Sequence, residues 1–270
     1  MATASTTDAI SPSPRIKQHK QYTLVIPLDL HRDRVLLGYK LRGFGQGKFN
    51  GFGGKIEPNE TVIAAAIREL HEESGLLCEE ADVIQRGVLL LETVADEVSP
   101  ILEIHVFTVD KWAGTETVTD EMKPAWFSLS KSLTPTAAPP TTTAADTEPD
   151  IGTGHPGIPY HRMWEESRVW LPPLLRSVSG HDSATSTCLP AVSANPSMVT
   201  AAKVAAEEGA AVSWAGKYFI HHVQFVGGTD SDVAADGEYS VWHGMGNRRL
   251  EFTDELPGEW ELRRSFVRYP

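Results

Sequence analysis

From Gly53 to Leu76 the chain reads GGKIEPNETVIAAAIRELHEESGL, and this stretch constrains the fold more than any other. Two adjacent glycines lead through a turn at Pro58 to Thr61, a residue type that caps a helix by accepting a hydrogen bond from its first turn. Ile63, Ile67 and Leu70 then recur at i, i+4 and i+7, which makes one apolar stripe at helical spacing. Gly75 supplies the stop. Inside this helix Glu69, Glu72 and Glu73 stand at i, i+3 and i+4 and project from one face. Carboxylates so close repel each other unless a cation lies among them, and hard oxygen donors of this kind suit Mg²⁺ or Mn²⁺. Acidic helix faces are in general merely solvated. The flanking glycines, with Glu60 and Arg68 at fixed offsets, argue here for a metal site. A divalent cation at such a place neutralises a polyphosphate and activates a water as nucleophile. The loop 51–54 (GFGG) lets the backbone approach metal and phosphate, because glycine carries no Cβ. Lys55, directly after it, is placed to meet a phosphate oxygen.

The rest of the chain narrows what such a site serves. With 270 residues and 41% hydrophobic content, it suits one good core plus some unstructured sequence rather than two full domains. The net charge of −12, without a basic cluster, argues against duplex nucleic acid and anionic membranes as partners. A divalent metal still lets an acidic protein take a nucleotide. Cys78 and Cys188 are far apart and imply neither a disulfide framework nor a zinc site, so a reducing compartment is expected. The N-terminal MATASTTDAISPSPRIKQHK lacks the apolar stretch of a secretory signal. Its scarcity of acids leaves a weak mitochondrial transit character beside the leading expectation of a disordered leader. The expected location is the cytoplasm, with nucleus and mitochondrion as the other compartments considered, and a monomer is expected.

Residues 22–28 (YTLVIPL) and 34–41 (RVLLGYKL) read as strands joined by a polar turn. Residues 82–93 and 101–109 read as central strands, and 125–129 (AWFSL) as a strand or the entry to a helix. Residues 133–156 are rich in Pro, Thr and Ala with few large apolar side chains, which predicts an exposed, mobile insertion. Order returns over 158–175. A second weak segment covers 177–213, with a short helix conceivable over 201–211. Residues 218–226 (YFIHHVQFV) and 238–242 (EYSVW) read as a closing strand pair. The domain expectation is a leader over 1–20, one domain over 21–245 interrupted by the two insertions, and a tail over 246–270 of unknown structure.

The spacing Gly54-x5-Glu60-x7-Arg68-Glu69-Leu70-x-Glu72-Glu73-x-Gly75-Leu76 resembles the Nudix box, and every fixed position is filled. Other stretches resemble the eukaryotic MutT-like members of that family that hydrolyse oxidised purine nucleoside triphosphates. They are YTLV at 22–25, RVLLGYKLRGFGQGKFNGFGGK at 34–55, IHVF at 104–107, TDEMKPAWF at 119–127, and the Met163-Trp164 and VWLPPLL pattern up to Leu175. The resemblance implies an α/β Nudix fold, a mixed β-sheet sandwiched between helices. It implies hydrolysis of substrates such as 8-oxo-dGTP to the monophosphate and pyrophosphate, dependent on Mg²⁺ or Mn²⁺. The alternatives are a Nudix hydrolase of another nucleoside diphosphate derivative, or a non-catalytic binding module of the same fold. The full set of acids argues against the module.

By the same resemblance, Gly53 and Gly54 with Glu69, Glu72, Glu73 and Glu121 would form the metal site. Arg68 would join the carboxylates as catalytic machinery. Thr23, Lys40, Asn50, Phe52 and Lys55 would line the nucleotide site, and Phe44 and Trp164 would stack around the base. An acidic pair that reads the base should follow Trp164. This chain has Glu166 at the first position and Ser167 at the second, so Glu166 with Asn50 is expected to carry base recognition.

Overall fold

The computed structural model describes residues 17–94, 99–134, 155–180, 217–227 and 243–256. They form the expected α/β arrangement around one eight-stranded mixed sheet. The strands are β1 (His19–Asp29), β2 (Arg34–Lys40), β3 (Phe49–Asn50), β4 (Val83–Thr93), β5 (Ile101–Val109), β6 (Met122–Ser128), β7 (Tyr218–Gly227) and β8 (His243–Thr253). Their order is β3-β2-β1-β5-β4-β7-β8, with β6 on the far edge of β2. β1 runs parallel to β5 and β4 parallel to β7, and the other neighbours are antiparallel. On β2, strand β1 pairs at Arg34 and Val35 while β3 pairs at Gly38 and Tyr39. That split opens the sheet where the 51–54 loop enters.

Alternation along the strands separates two apolar layers. Val25, Leu36, Phe107 and Val109 face helix α1 (Val62–Ser74), meeting Ala66 and Leu70. Leu24, Ile26, Leu28, Leu37 and Val106 face the other way, toward Trp170, Leu171, Leu174 and Leu175 of helix α3 (Ser167–Ser179). A short helix α2 (Leu129–Ser132) closes the second layer. Helix α1 begins and ends as its sequence dictates. Thr61 accepts from the amide of Ala64, and Gly75 turns left-handed at φ 77°. Helix α3 exists against its local propensity. Pro172 and Pro173 remove two amide donors from its middle. Burial of Trp170 and the three leucines holds it together. No helix among the described residues is long and apolar enough to cross a membrane.

Several boundaries shift from the sequence reading. The partner of β7 is β8, which runs through Thr253 into the stretch read as a tail, because its residues pair with Tyr218–Val223 over most of their length. Residues 238–242 lie outside the described residues. The first insertion is narrower than 133–156. The Leu133 carbonyl accepts from Arg176, Pro156 accepts from the Ser128 amide, and Ile158 donates to Ser132. The second begins after Ser179, since α3 continues that far. The expectations for 1–16, most of both insertions including 201–211, and 257–270 fall outside the described residues.

Candidate active site

Two cations hold the acids of α1, Arg68 pairing with Glu69 and Glu72 and Lys40 with Glu73. Arg68 donates to both Glu60 oxygens at 2.9 Å, to Glu69 at 2.9 Å, to Glu72 at 3.1 Å and to the Lys55 carbonyl at 3.2 Å. All of its N–H groups are thus engaged, so it organises the acids and ties α1 to the loop. Glu72 is the outermost of the three acids, 56% exposed. Glu73 is buried, and its two oxygens have different partners. Oε2 accepts from the Gly53 amide at 2.8 Å, and Oε1 accepts from Lys40 Nζ at 2.8 Å. Lys40 also reaches Glu121 Oε2 at 3.2 Å, whose other oxygen pairs with Arg42 at 2.8 Å. Burial pulls the Lys40 pKa down, but Glu73 and Glu121 outweigh it and hold the ammonium above its ordinary value. Burial pushes the Glu73 and Glu69 carboxyls up, against the pull of Lys40 and Arg68. For the Lys40–Glu73 contact the ion pair is the form supported, because Glu73 accepts from two donors at hydrogen-bond distance.

The carboxylate oxygens are of the kind a hard divalent cation takes, and among the described residues no three acids stand close enough together to form a metal cluster as they are. Glu73 and Glu121 converge on one ammonium, and Glu69 feels that same charge. A Cβ on Gly54 would collide with the Glu69 carboxylate, and one on Gly53 with the Thr23 carbonyl. The backbone clash at Gly53 is the demanding one, and only glycine there lets the loop lie against β1. Thr23 sits beside it, donating its amide to the Gly54 carbonyl at 2.9 Å, and its buried hydroxyl has no partner.

The second cluster lies at the N-terminus of α3. Trp164 packs on Phe44 with ring centroids 4.9 Å apart and planes tilted by 32°, and Lys48 lies over its ring. Lys48 also donates to the Met163 carbonyl at 3.4 Å. Glu166 is fully buried, and burial pushes its carboxyl up to about 7. Ser167 donates to its Oε1 at 3.3 Å, while Oε2 has no partner. One helical turn on, the Trp170 indole N–H is also buried and unpaired. Glu165, beside them, accepts the Met245 amide of β8 at 3.1 Å. Asn50 is half-buried on β3, paired with Gly38.

The NUDIX domain family matches residues 19–145. Among curated proteins, the chain is 38% identical over 157 residues to the mouse (Mus musculus) protein named oxidized purine nucleoside triphosphate hydrolase, covering 57% of this chain and 79% of that one. The zebrafish (Danio rerio) protein of the same name is 35% identical over 153 residues, again 57% and 79%. This chain belongs to the Nudix family. Among solved structures, a MutT protein from Bacillus halodurans aligns with a TM-score of 0.47 and 15% identity over 86% of this chain and 97% of that one.

In this Nudix protein Glu73 and Glu121 share the Lys40 ammonium, Glu69 and Glu72 share the Arg68 guanidinium, and the Gly53 amide donates to Glu73. Two residues take a different place from the one expected. The Phe52 side chain is fully buried under α1 with Val25 and Leu36, so only its backbone is available to a ligand. Lys40, expected in the nucleotide pocket, sits among the acids. Lys55 is exposed and contributes its carbonyl to Arg68. The sequence reading missed Arg42, the Glu165 link to β8 and the unpaired Trp170 N–H. None of them leaves a periodic or spacing signal, because the first two join segments distant in the chain and the third depends on what the fold packs around the indole.

Proposed function

We propose that this Nudix enzyme hydrolyses oxidised purine nucleoside triphosphates, such as 8-oxo-dGTP, to the monophosphate and pyrophosphate. The observation that carries the reading is the buried Glu166 carboxyl with an unpaired oxygen beside the Trp164–Phe44 pair. Such an orphan suits a ligand with hydrogen-bonding edges and a flat apolar face, which is a purine base. Two relatives named for oxidised purine nucleoside triphosphates support the base class.

Trp164 and Phe44 would hold the ring, and Glu166 with Asn50 would read its edge. With its pKa raised to about 7, Glu166 can present either a donor or an acceptor near neutrality. Burial is the main cause of that raised value, and the neighbouring Glu165 charge adds to it. Glu69, Glu73 and Glu121, with the Gly53 backbone and Glu72 at the rim, would hold Mg²⁺ or Mn²⁺. The ion would supply charge neutralisation of the triphosphate and an activated water. Arg68 keeps Glu69 and Glu72 in place, and the Gly53 amide orients Glu73. Water adds to phosphorus, the α–β anhydride bond breaks, and the two products share the water's protons.

A panel of nucleotides with Mg²⁺, read by pyrophosphate release, tests the reading. Preference for 8-oxo-dGTP over dGTP supports it. Selective turnover of a dinucleoside polyphosphate, nucleotide sugar or cap overturns the substrate class and leaves the Nudix chemistry standing.

A further inference from the structure

The geometry points to Lys40 as a built-in placeholder cation that leaves Glu73 when a divalent metal arrives and so couples metal occupancy to phosphate binding. This rests on the metal site proposed above. The reasoning starts with the oxygens of Glu73. Oε2 is committed to the Gly53 amide at 2.8 Å, and Oε1 is taken by Lys40 Nζ at 2.8 Å. The same ammonium bridges to Glu121 Oε2 at 3.2 Å. Two acids from different parts of the chain, one on α1 and one just before β6, are therefore clamped by a single positive group. A metal that uses Glu73 Oε1 and Glu121 needs the volume that this ammonium fills. An ammonium and a dication do not share it, since like charges at such distances repel strongly in a half-buried site.

Charge counting agrees. In this ion-pair network five carboxylates (Glu60, Glu69, Glu72, Glu73, Glu121) meet three side-chain cations, Lys40, Arg42 and Arg68. With Lys40 displaced, only Arg42 and Arg68 remain against the five carboxylates, and a divalent ion takes up two of the three charges left. The placeholder keeps the buried Glu73 and the half-exposed Glu121 from repelling each other while the site waits. Once displaced, the ammonium sits on a flexible stem beside the arriving triphosphate, whose oxygens are the nearest new acceptors. Arg68 has no such freedom, because every one of its donors is in use.

The test uses Mn²⁺ alone, titrated by electron paramagnetic resonance without nucleotide, on the wild type, Lys40→Met, Lys40→Arg and Glu73→Gln. Lys40→Met should bind Mn²⁺ roughly 5- to 10-fold more tightly, within the usual range of coupling between sites. Lys40→Arg should stay near the wild type, and Glu73→Gln should bind more weakly. Inorganic tripolyphosphate should strengthen Mn²⁺ binding in the wild type beyond what it does in Lys40→Met. A second measurement needs no variant. Acetylation of the wild-type protein with an N-hydroxysuccinimide ester, mapped by mass spectrometry, should modify Lys40 faster when Mn²⁺ is added. Unchanged or weaker Mn²⁺ binding in Lys40→Met, or a Lys40 acetylation rate indifferent to Mn²⁺, overturns the placeholder role and leaves the metal site intact. Wild-type binding that Glu73→Gln does not weaken overturns both.

Discussion

The two halves of the candidate site satisfy their polar groups in opposite ways. Around α1 the charged groups are paired within the chain: Arg68 with three acids, Lys40 with two, and Glu73 with an amide as well. At the start of α3, Glu166 Oε2 and the Trp170 N–H are buried with no partner. The physical reason is the size of the penalty. An unpaired buried charge is far more costly than an unpaired neutral polar atom. The acidic half must therefore carry its own cations. The base half can wait with open hydrogen-bonding positions, because burial keeps much of Glu166 protonated near neutrality.

Removing a charge from the paired half should have the largest effect. Glu73→Gln keeps the shape but takes away one anion, and pyrophosphate release at saturating Mg²⁺ should fall on the order of 10²-fold or more. Circular dichroism should show the fold retained. Turnover near wild type would break the distinction, since the paired acids would then be merely structural.

On the open half, Glu166→Ala should lower kcat/KM for 8-oxo-dGTP by roughly 10- to 100-fold, the scale of a lost buried hydrogen bond to substrate. Less than about 5-fold would mean that Glu166 does not read the base. Ser167→Asp adds a like charge beside Glu166 and should broaden acceptance toward 2-oxo-dATP, seen as a higher kcat/KM ratio of that substrate to 8-oxo-dGTP.

Glu165 sharpens the contrast because it is the tie that holds the open half. Its loss should loosen the wall from β8, raising KM a few-fold with kcat little changed, and Glu165→Gln should restore KM. If Glu165→Ala changes kcat and KM alike, the wall is not positioned by β8.

His221 is a control orphan. Both of its ring nitrogens are buried without a partner, and burial pulls its pKa down to about 3. A base whose folded pKa is depressed gives stability that is present above its unfolded value near 6.5 and lost as pH falls from there toward 3. His221→Leu should flatten that acid slope in urea melts read at pH 4 and 7, while kcat/KM stays within about 2-fold. A large loss of activity would place a second polar contact on β7 and extend the open half. The smallest effect belongs to replacing 135–154 by a short Gly/Ser linker, which should leave Tm and turnover nearly unchanged. Unfolding on deletion would show that this segment supports one of the halves.

Helix α1 was legible almost residue by residue. Thr61, the Ile63–Ile67–Leu70 stripe and Gly75 are short-range signals, and each acts within a turn or two of where it is written. The strands β4 and β5 were equally plain, because each is a largely continuous apolar run, as befits central strands covered on both faces. β8 was not, since its exposed Arg248 and Arg249 carry no apolar pattern and its pairing depends on β7. Helix α3 hides behind two prolines, and only the burial of Trp170 and the leucines explains it.

The sequence by itself determined the family, the capped acidic helix and the glycine loop that must lie against it, because those depend on local geometry and fixed spacing. Only the tertiary structure decided that Lys40 rests between Glu73 and Glu121, that Phe52 turns into the core, that Glu165 fastens to β8, and that burial brings Glu166 near neutrality. Those are contacts and dielectric environments made between segments far apart in the chain, and no residue pattern along one segment encodes them.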